Sequence, residues 1–302
     1  MADRIVAEEH SNVSLRFITT VMTVGIVAVS FSAVLIRLCD APSLVIAFYR
    51  LLFASLVFWL ASFRKIIPEL RSLASVSVRL GFASGVALAL HFATWITSLS
   101  YTSVASSVVL VATSPIFIAI GSAVFLHERG TFKLYLGLAL AFVGATVITL
   151  GGTGSDENSL LGNSLALAGA VFGSAYFLLG RRLRRELSAV TYAALSYSTA
   201  AVVLFISNLP FGHSLFDYPL ATFGIFLLIA LLPQVVGHTS FNWALKHVSA
   251  PTVSIVLLGE PVGASLLAYL LLGEKVGGLT IFGGVVTLAG VLLAISSERR
   301  KV

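Results

Sequence analysis

The chain has 302 residues, of which 58% are hydrophobic and only 11% charged, and its mean hydropathy is +1.00; a soluble domain carries about a quarter charged residues, so this composition excludes one and indicates a polytopic membrane protein. The formal charge of +6 sits in short basic runs between apolar stretches of spanning length, the pattern of cytoplasmic loop anchors rather than of a nucleic-acid surface. A single cysteine, Cys39, excludes an internal disulfide framework and a multi-cysteine metal site.

The first sixteen residues mix Asp3, Glu8 and Glu9 with Arg4 and Arg16. The apolar run that follows, about twenty residues, is too long for a signal-peptide core and reads as a retained span. A helix needs about twenty apolar residues to cross ~30 Å of hydrocarbon. Ten windows qualify in chain order: Phe17 to Ile36, Leu44 to Phe63, Leu80 to Tyr101, Val104 to Leu126, Leu134 to Leu150, Gly162 to Leu179, Ala189 to Leu209, Ala221 to Leu245, Ala250 to Leu272 and Thr280 to Ser296. Breakers and charges separate them, such as Arg64, Lys65 and Pro68, or the polar stretch from Gly151 to Ser159.

Sorting Lys and Arg by alternate sides tests this parse, because positive charge stays cytoplasmic. Sixteen fall on the side of the N-terminus, among them Arg64, Lys65, Arg129, Arg181, Arg182, Arg184, Arg185, Lys246 and Arg299, and only Arg37 and Lys275 fall on the other. Both termini are therefore expected in the cytoplasm. Arg50 is left inside a span.

The second half repeats the first at an offset of 146 residues: Leu99 to Leu150 aligns without a gap on Leu245 to Ser296, with Pro115 on Pro261, Leu126 on Leu272, Glu128 on Glu274, Arg129 on Lys275, Gly137 on Gly283 and Gly144 on Gly290. Each copy holds five spans, an odd number, so the copies take opposite orientations about an axis in the membrane plane. The expected fold is an all-α membrane protein of ten transmembrane helices in two inverted five-helix repeats, residues 1–150 and 151–302. Small residues recur every four positions along the helices: Gly162, Ala166, Ala170 and Ser174, then Gly169 and Gly173, and on span five Gly137, Ala141 and Ala145. These are rows for close helix contact.

Inverted repeats place their substrate site near the midplane where the copies meet, and the polar residues there are few. Arg50 lies seven residues into span two, where a charge costs at least ~2.5 kcal/mol; it reads either as a cavity cation for a substrate carboxylate or as a structural arginine locking helices together. Glu260, ten residues along span nine, lies within a few ångströms of the same depth by a rise of ~1.5 Å per residue. It is a candidate ion-pair partner of Arg50 or a proton-carrying carboxyl. Pro115 and Pro261, at matched depths in spans four and nine, each free a backbone carbonyl and mark a kink or hinge; Pro233 has no counterpart. Spans three and eight add His91, Trp95, Tyr101, Gln234, His238, Asn242 and Trp243. His91 with Trp95 and His238 with Asn242 share helix faces. Tyr176 in span six joins this set, with Tyr192, Ser196 and Tyr197 as weaker candidates. Ser196 stands where Arg50 stands in the first copy, so the two copies differ chemically.

The stretches AFYRLLFA at Ala47 to Ala54, TSPIFIAIGSAVFLHE at Thr113 to Glu128 and LLGEPVGASLLAYLLLGE at Leu257 to Glu274 resemble the EamA-type branch of the drug/metabolite transporter superfamily, and within it the bacterial YddG-type amino-acid exporters. The resemblance spans essentially the whole chain. It implies a basket in which helices one to four and six to nine enclose a central cavity, with five and ten outside. It also implies a metabolite exporter in a bacterial inner (plasma) membrane, with amino acids, especially aromatic or bulky apolar ones, as cargo.

The residues alone support a carrier for a small organic solute working by alternating access. A membrane-embedded enzyme would need a catalytic constellation, and no His-Glu-x-x-His, Walker loop, serine hydrolase elbow or intramembrane aspartate pair is present. No filter repeat or charged ring suggests a channel. An exchanger of phosphorylated or nucleotide-linked metabolites is the alternative; it would need several cavity cations, and only Arg50 qualifies. No cofactor, metal or nucleic acid is expected, the partners being the solute and the lipid bilayer; oligomeric state stays open.

Overall fold

The computed structural model describes residues 13–101, 107, 110–127, 130–150, 159–272 and 278–298. The N-terminal Asp3, Arg4, Glu8 and Glu9, the repeat-matched Glu128, Arg129, Glu274 and Lys275, and the C-terminal Arg299, Arg300 and Lys301 lie outside the described residues.

Every regular element among the described residues is helical. The first copy contains α1 (Leu15–Arg37), α2 (Ser43–Arg71), α3 (Ser75–Ser98), α4 (Ser114–Gly121, continued by a π turn over Ser122–Leu126) and α5 (Phe132–Leu150). The second contains α6 (Ser159–Leu183), α7 (Ala189–Asn208), α8 (Leu220–Ile229), a π segment over Ala230–His238 running into α9 (Thr239–Ala244), then α10 (Ala250–Leu257), α11 (Glu260–Leu272) and α12 (Gly278–Glu298). Some of these depart from the sequence expectation. α2 continues past Phe63 to Arg71 across a kink at Ser62 (φ −144°); Arg, Lys and Glu are good helix formers, so the apolar run stops before the helix does. Span nine is broken into α10 and α11 at Leu258 and Gly259.

Among the described residues, seven helices are long and apolar enough to cross a membrane: α1, α2, α3, α6, α7, the rod from Leu220 to Ala244 and the rod from Ala250 to Leu271. Three shorter apolar stretches, Ser114–Leu126, Phe132–Gly144 and Ile281–Ala294, accompany them. Large side chains such as Leu60 (80% exposed), Phe132 (81%) and Leu160 (81%) stand bare on the outside, tolerable against acyl chains and not against water. The chain is an integral membrane protein.

The two copies interlock. α2 and α7, equivalent helices, pack antiparallel: Asn208 Nδ2 donates to the Leu44 carbonyl at one end (3.2 Å), Trp59 Nε1 to Ser198 Oγ in the middle (2.9 Å), and the Ser188 amide to Glu69 Oε2 at the other end (3.0 Å). α5 and α12, also equivalent, pack antiparallel at backbone contact. A Cβ at Gly137 would lie 2.8 Å from the Gly290 carbonyl, and one at Gly290 or Gly144 would run into the backbone of Ala141 or Thr287. This is the small-residue seam anticipated on span five. The row of Gly169 and Gly173 receives α3, with Trp95 and His91 seated on it. α3 lies on α6 just as α1 lies on the π segment and α9.

Helix ends and connections within and between the two copies are tied to one another. Ser77 Oγ donates to Glu186 (2.6 Å), Arg184 Nε to the Asn242 carbonyl (2.9 Å) and Arg181 to the Leu245 carbonyl. Burial lowers the Arg184 guanidinium to about 10, with Tyr192 and Glu69 opposing, so it stays charged at neutral pH. At the opposite end Ser43 and Ser100 pair at 3.3 Å and Tyr49 donates to the Leu215 carbonyl.

Candidate functional site

A chamber of about 80 Å³ lies between α1, α3, the broken helices of both copies, α6 and the end of the π segment, with Ser32, His91, Trp95, Phe177, His238 and Glu260 in its wall. The wall is pseudo-symmetric where the helices break. Val111 and Leu257, Ala112 and Leu258, Ser114 and Glu260, and Pro115 and Pro261 are repeat-matched pairs, and all eight line it. Just before each proline the helix tightens into i→i+3 bonds: Thr113 N to Leu110 O (3.2 Å) and Ile116 N to Thr113 O (2.9 Å) in the first copy, Leu258 N to Ile255 O (3.0 Å) and Gly259 N to Val256 O (2.9 Å) in the second. Proline supplies no amide hydrogen and crowds the residue before it, which accounts for both interruptions. In the first copy Ser114 Oγ donates to the Val111 carbonyl (2.6 Å), covering the group that Pro115 leaves free.

Arg50, fully buried, stands directly behind this wall. Its Nε donates to Gln234 Oε1 (2.7 Å) and its Nη1 to Ser32 Oγ (2.8 Å), while the guanidinium lies 4.1 Å over the Phe92 ring. Glu260, half-buried, is an electrostatic neighbour of Arg50 rather than a hydrogen-bonding one. Gln234 and Ser32 therefore take the places that sequence reasoning offered to Glu260. The sequence signal for Gln234 was its position beside Pro233 in span eight; the nine-residue π segment there is where a proline-freed backbone re-forms its bonds. Such segments are frequent at functional sites.

His91 Nδ1 donates to the Gly169 carbonyl at 2.8 Å, since a carbonyl only accepts, and its ring stacks on Trp95 (6.1 Å, 13°). His238 meets Phe92 edge-on at 5.4 Å. Arg50, His91, Trp95, His238, Glu260, Pro115 and Pro261 are thus brought together. Four other expected residues stand elsewhere. Asn242 and Tyr176 meet each other, Nδ2 donating to the Tyr176 hydroxyl (2.6 Å) and to the Tyr197 hydroxyl (3.2 Å), in a buried network that also holds Tyr192, Ser84 and the Arg184 bond. Asn242 is four residues beyond His238, ~6 Å along a helix, enough to leave so small a chamber. Trp243 packs against Phe17 and His247 at the helix periphery, and Tyr101 is 40% exposed at the end of α3. Ser196 Oγ donates to the Tyr192 carbonyl.

The comparisons with known proteins agree with this architecture. An uncharacterized transporter of Archaeoglobus fulgidus is 27% identical over 92% of the chain and 96% of its own length. A probable terminal-alkyne amino-acid exporter of Streptantibioticus cattleyicolor is 28% identical over 61% of each chain, and an uncharacterized transporter of Bacillus subtilis is 27% identical over 65% of this chain and 66% of its own. The chain thus spans less than two thirds of the length of the latter two in these matches. A solved crystal structure superposes with a TM-score of 0.76 at 17% identity, covering 94% of this chain and 99% of the other, and shares the fold. The EamA-like transporter family matches twice in tandem, over residues 15–150 and 160–296, and the chain belongs to that family.

Proposed function

We propose that the protein is a secondary exporter of small metabolites, amino acids with aromatic or bulky apolar side chains foremost, working by alternating access. The bundle is read as ten transmembrane helices in two inverted repeats with both termini cytoplasmic. The observation that carries the reading is the chamber itself: matched helix breaks from both copies form its wall, the carboxylate Glu260 borders it, and the intramembrane cation Arg50 stands behind it on Ser32. Helices interrupted at corresponding places in two repeats are hinges around a fixed site. The chamber volume of about 80 Å³ is well below the ~300–1,000 Å³ of an open ligand site, so cargo entry requires the copies to move apart. Apolar lining by Trp95, Phe177, Ile118 and Leu257 suits an apolar side chain. A relative bearing the name of amino-acid exporter supports the cargo class.

Counterflow in proteoliposomes tests the reading. Unlabelled phenylalanine inside should accelerate uptake of labelled phenylalanine from outside, as a carrier demands. Flux independent of trans substrate would indicate a pore, and counterflow with phosphorylated metabolites alone would favour the exchanger.

A further inference from the structure

The site has unmet hydrogen-bonding capacity of both signs. Arg50 Nη2, Trp95 Nε1, Gln234 Nε2 and His238 Nδ1 are buried without a partner among the described residues. Arg50, Gln234 and Trp95 are themselves at least nine-tenths buried. They form one connected layer, because Gln234 and Ser32 hold the guanidinium while Phe92 lies under it and packs on His238. Leaving one buried donor unpaired costs about 1–3 kcal/mol; Trp95 and His238 present theirs in the chamber wall, and Arg50 lies behind it through Ser32, a preformed cradle for an anionic oxygen pair.

Glu260 supplies the opposite sign. Its repeat-matched residue, Ser114, uses its hydroxyl to cover the Val111 carbonyl. An ionised carboxylate only accepts and cannot repeat that bond. No hydrogen bond from the described protein reaches it, and the side chain borders the chamber. A plain carboxylic acid in the chamber would place its charge beside Glu260 with nothing between them. A plain amine would leave the donor layer unmet.

We infer that the chamber selects the zwitterionic head group of a free α-amino acid, Glu260 receiving the ammonium and Trp95 and His238, backed by the Arg50 charge behind Ser32, the carboxylate. The inference rests on the amino-acid reading above and assigns it a polarity: the chain's asymmetry at the Ser114 and Glu260 pair and at the Arg50 and Ser196 pair matches the asymmetry of the ligand. Its prediction is that both charges of the head group are required together.

Three probes of equal shape test it on the purified full chain, by competition against labelled L-phenylalanine and by thermal shift: L-phenylalanine, 2-phenylethylamine and 3-phenylpropanoate. The parent should bind L-phenylalanine at least tenfold more tightly than either of the others. Glu260→Gln should weaken L-phenylalanine at least tenfold while keeping or improving 3-phenylpropanoate, and that retained binding also proves the variant folded. Trp95→Phe, which removes the indole donor and keeps an aromatic ring, should weaken L-phenylalanine and 3-phenylpropanoate and spare the amine. Parity of L-phenylalanine binding between Glu260→Gln and parent, with amino acids still bound, would overturn the head-group assignment alone. No amino acid bound by the parent, with a nucleoside or organic cation bound instead, would overturn the export reading and the assignment together.

Discussion

A guanidinium inside a membrane helix must be compensated, and for Arg50 the compensation comes from neutral groups: Gln234, Ser32 and the Phe92 face. Its importance was legible in sequence because an intramembrane charge is costly wherever it occurs. Its hydrogen-bonding partner was not, because Gln234 is 184 residues away and is brought to it by a π segment that no helical periodicity forecasts. Arg50→Ala should remove at least tenfold of transport in proteoliposomes and lower stability by about 2–4 kcal/mol, from two lost charge-assisted bonds and the space left behind. Transport equal to the parent at matched protein density would remove Arg50 from the mechanism. Cys39, in the turn between α1 and α2, illustrates the opposite case of an inert residue. Burial, with Asp40 adding to it, pushes its thiol from 9.0 up to about 11, so at neutral pH it holds roughly a hundredfold less of the reactive thiolate. Labelling of the folded protein by a maleimide should be slow at pH 7 and accelerate toward pH 10, whereas a rate flat across that range would contradict the burial.

Among elements, the broken helices are the informative ones. Pro115 and Pro261 line the chamber, and the tightened turns before them leave each helix in two segments that can tilt separately. Replacing both by Ala returns the missing amide donors and lets each helix run straight. The double variant Pro115→Ala, Pro261→Ala should transport at least fivefold more slowly with little change in the concentration for half-maximal rate. An unchanged turnover would reduce the breaks to static kinks. The matched prolines and the glycine rows were readable from their 146-residue and four-residue spacings. The kink at Pro261 was readable too, but its depth was not: that the helix divides at Leu258 and Gly259 into two separate segments is registered only by the backbone bonding.

For the whole molecule, the positive-charge count and the structure address the same arrangement by independent routes. The basic connections around residues 64–79, 181–188 and 245–249 converge at one end, through Glu69, Glu186, Arg181 and Arg184, and the connections around residues 38–43, 100 and 208–218 converge at the other. Single cysteines at Ser72 and Arg185 in a Cys39→Ser background should react with an impermeant reagent from the cytoplasmic face, and one at Ser214 from the opposite face. Labelling of Ser72→Cys and Ser214→Cys from the same side would be incompatible with the inverted arrangement.

Hydrophobic length, charge bias and the internal repeat are one-dimensional quantities, so the membrane class, the approximate spans and the pairing of the two copies could be computed from residue order. Which polar groups share a chamber depends on helix rotation and axial offset, where a single π segment or one turn of ~5.4 Å moves a side chain from the wall into another network. Tyr176 and Asn242 therefore lie in a neighbouring network, and Ser32 takes a place in the chamber wall. Apolar patterning is indifferent to which of several buried faces meets which, and packing against the neighbouring helices makes that choice.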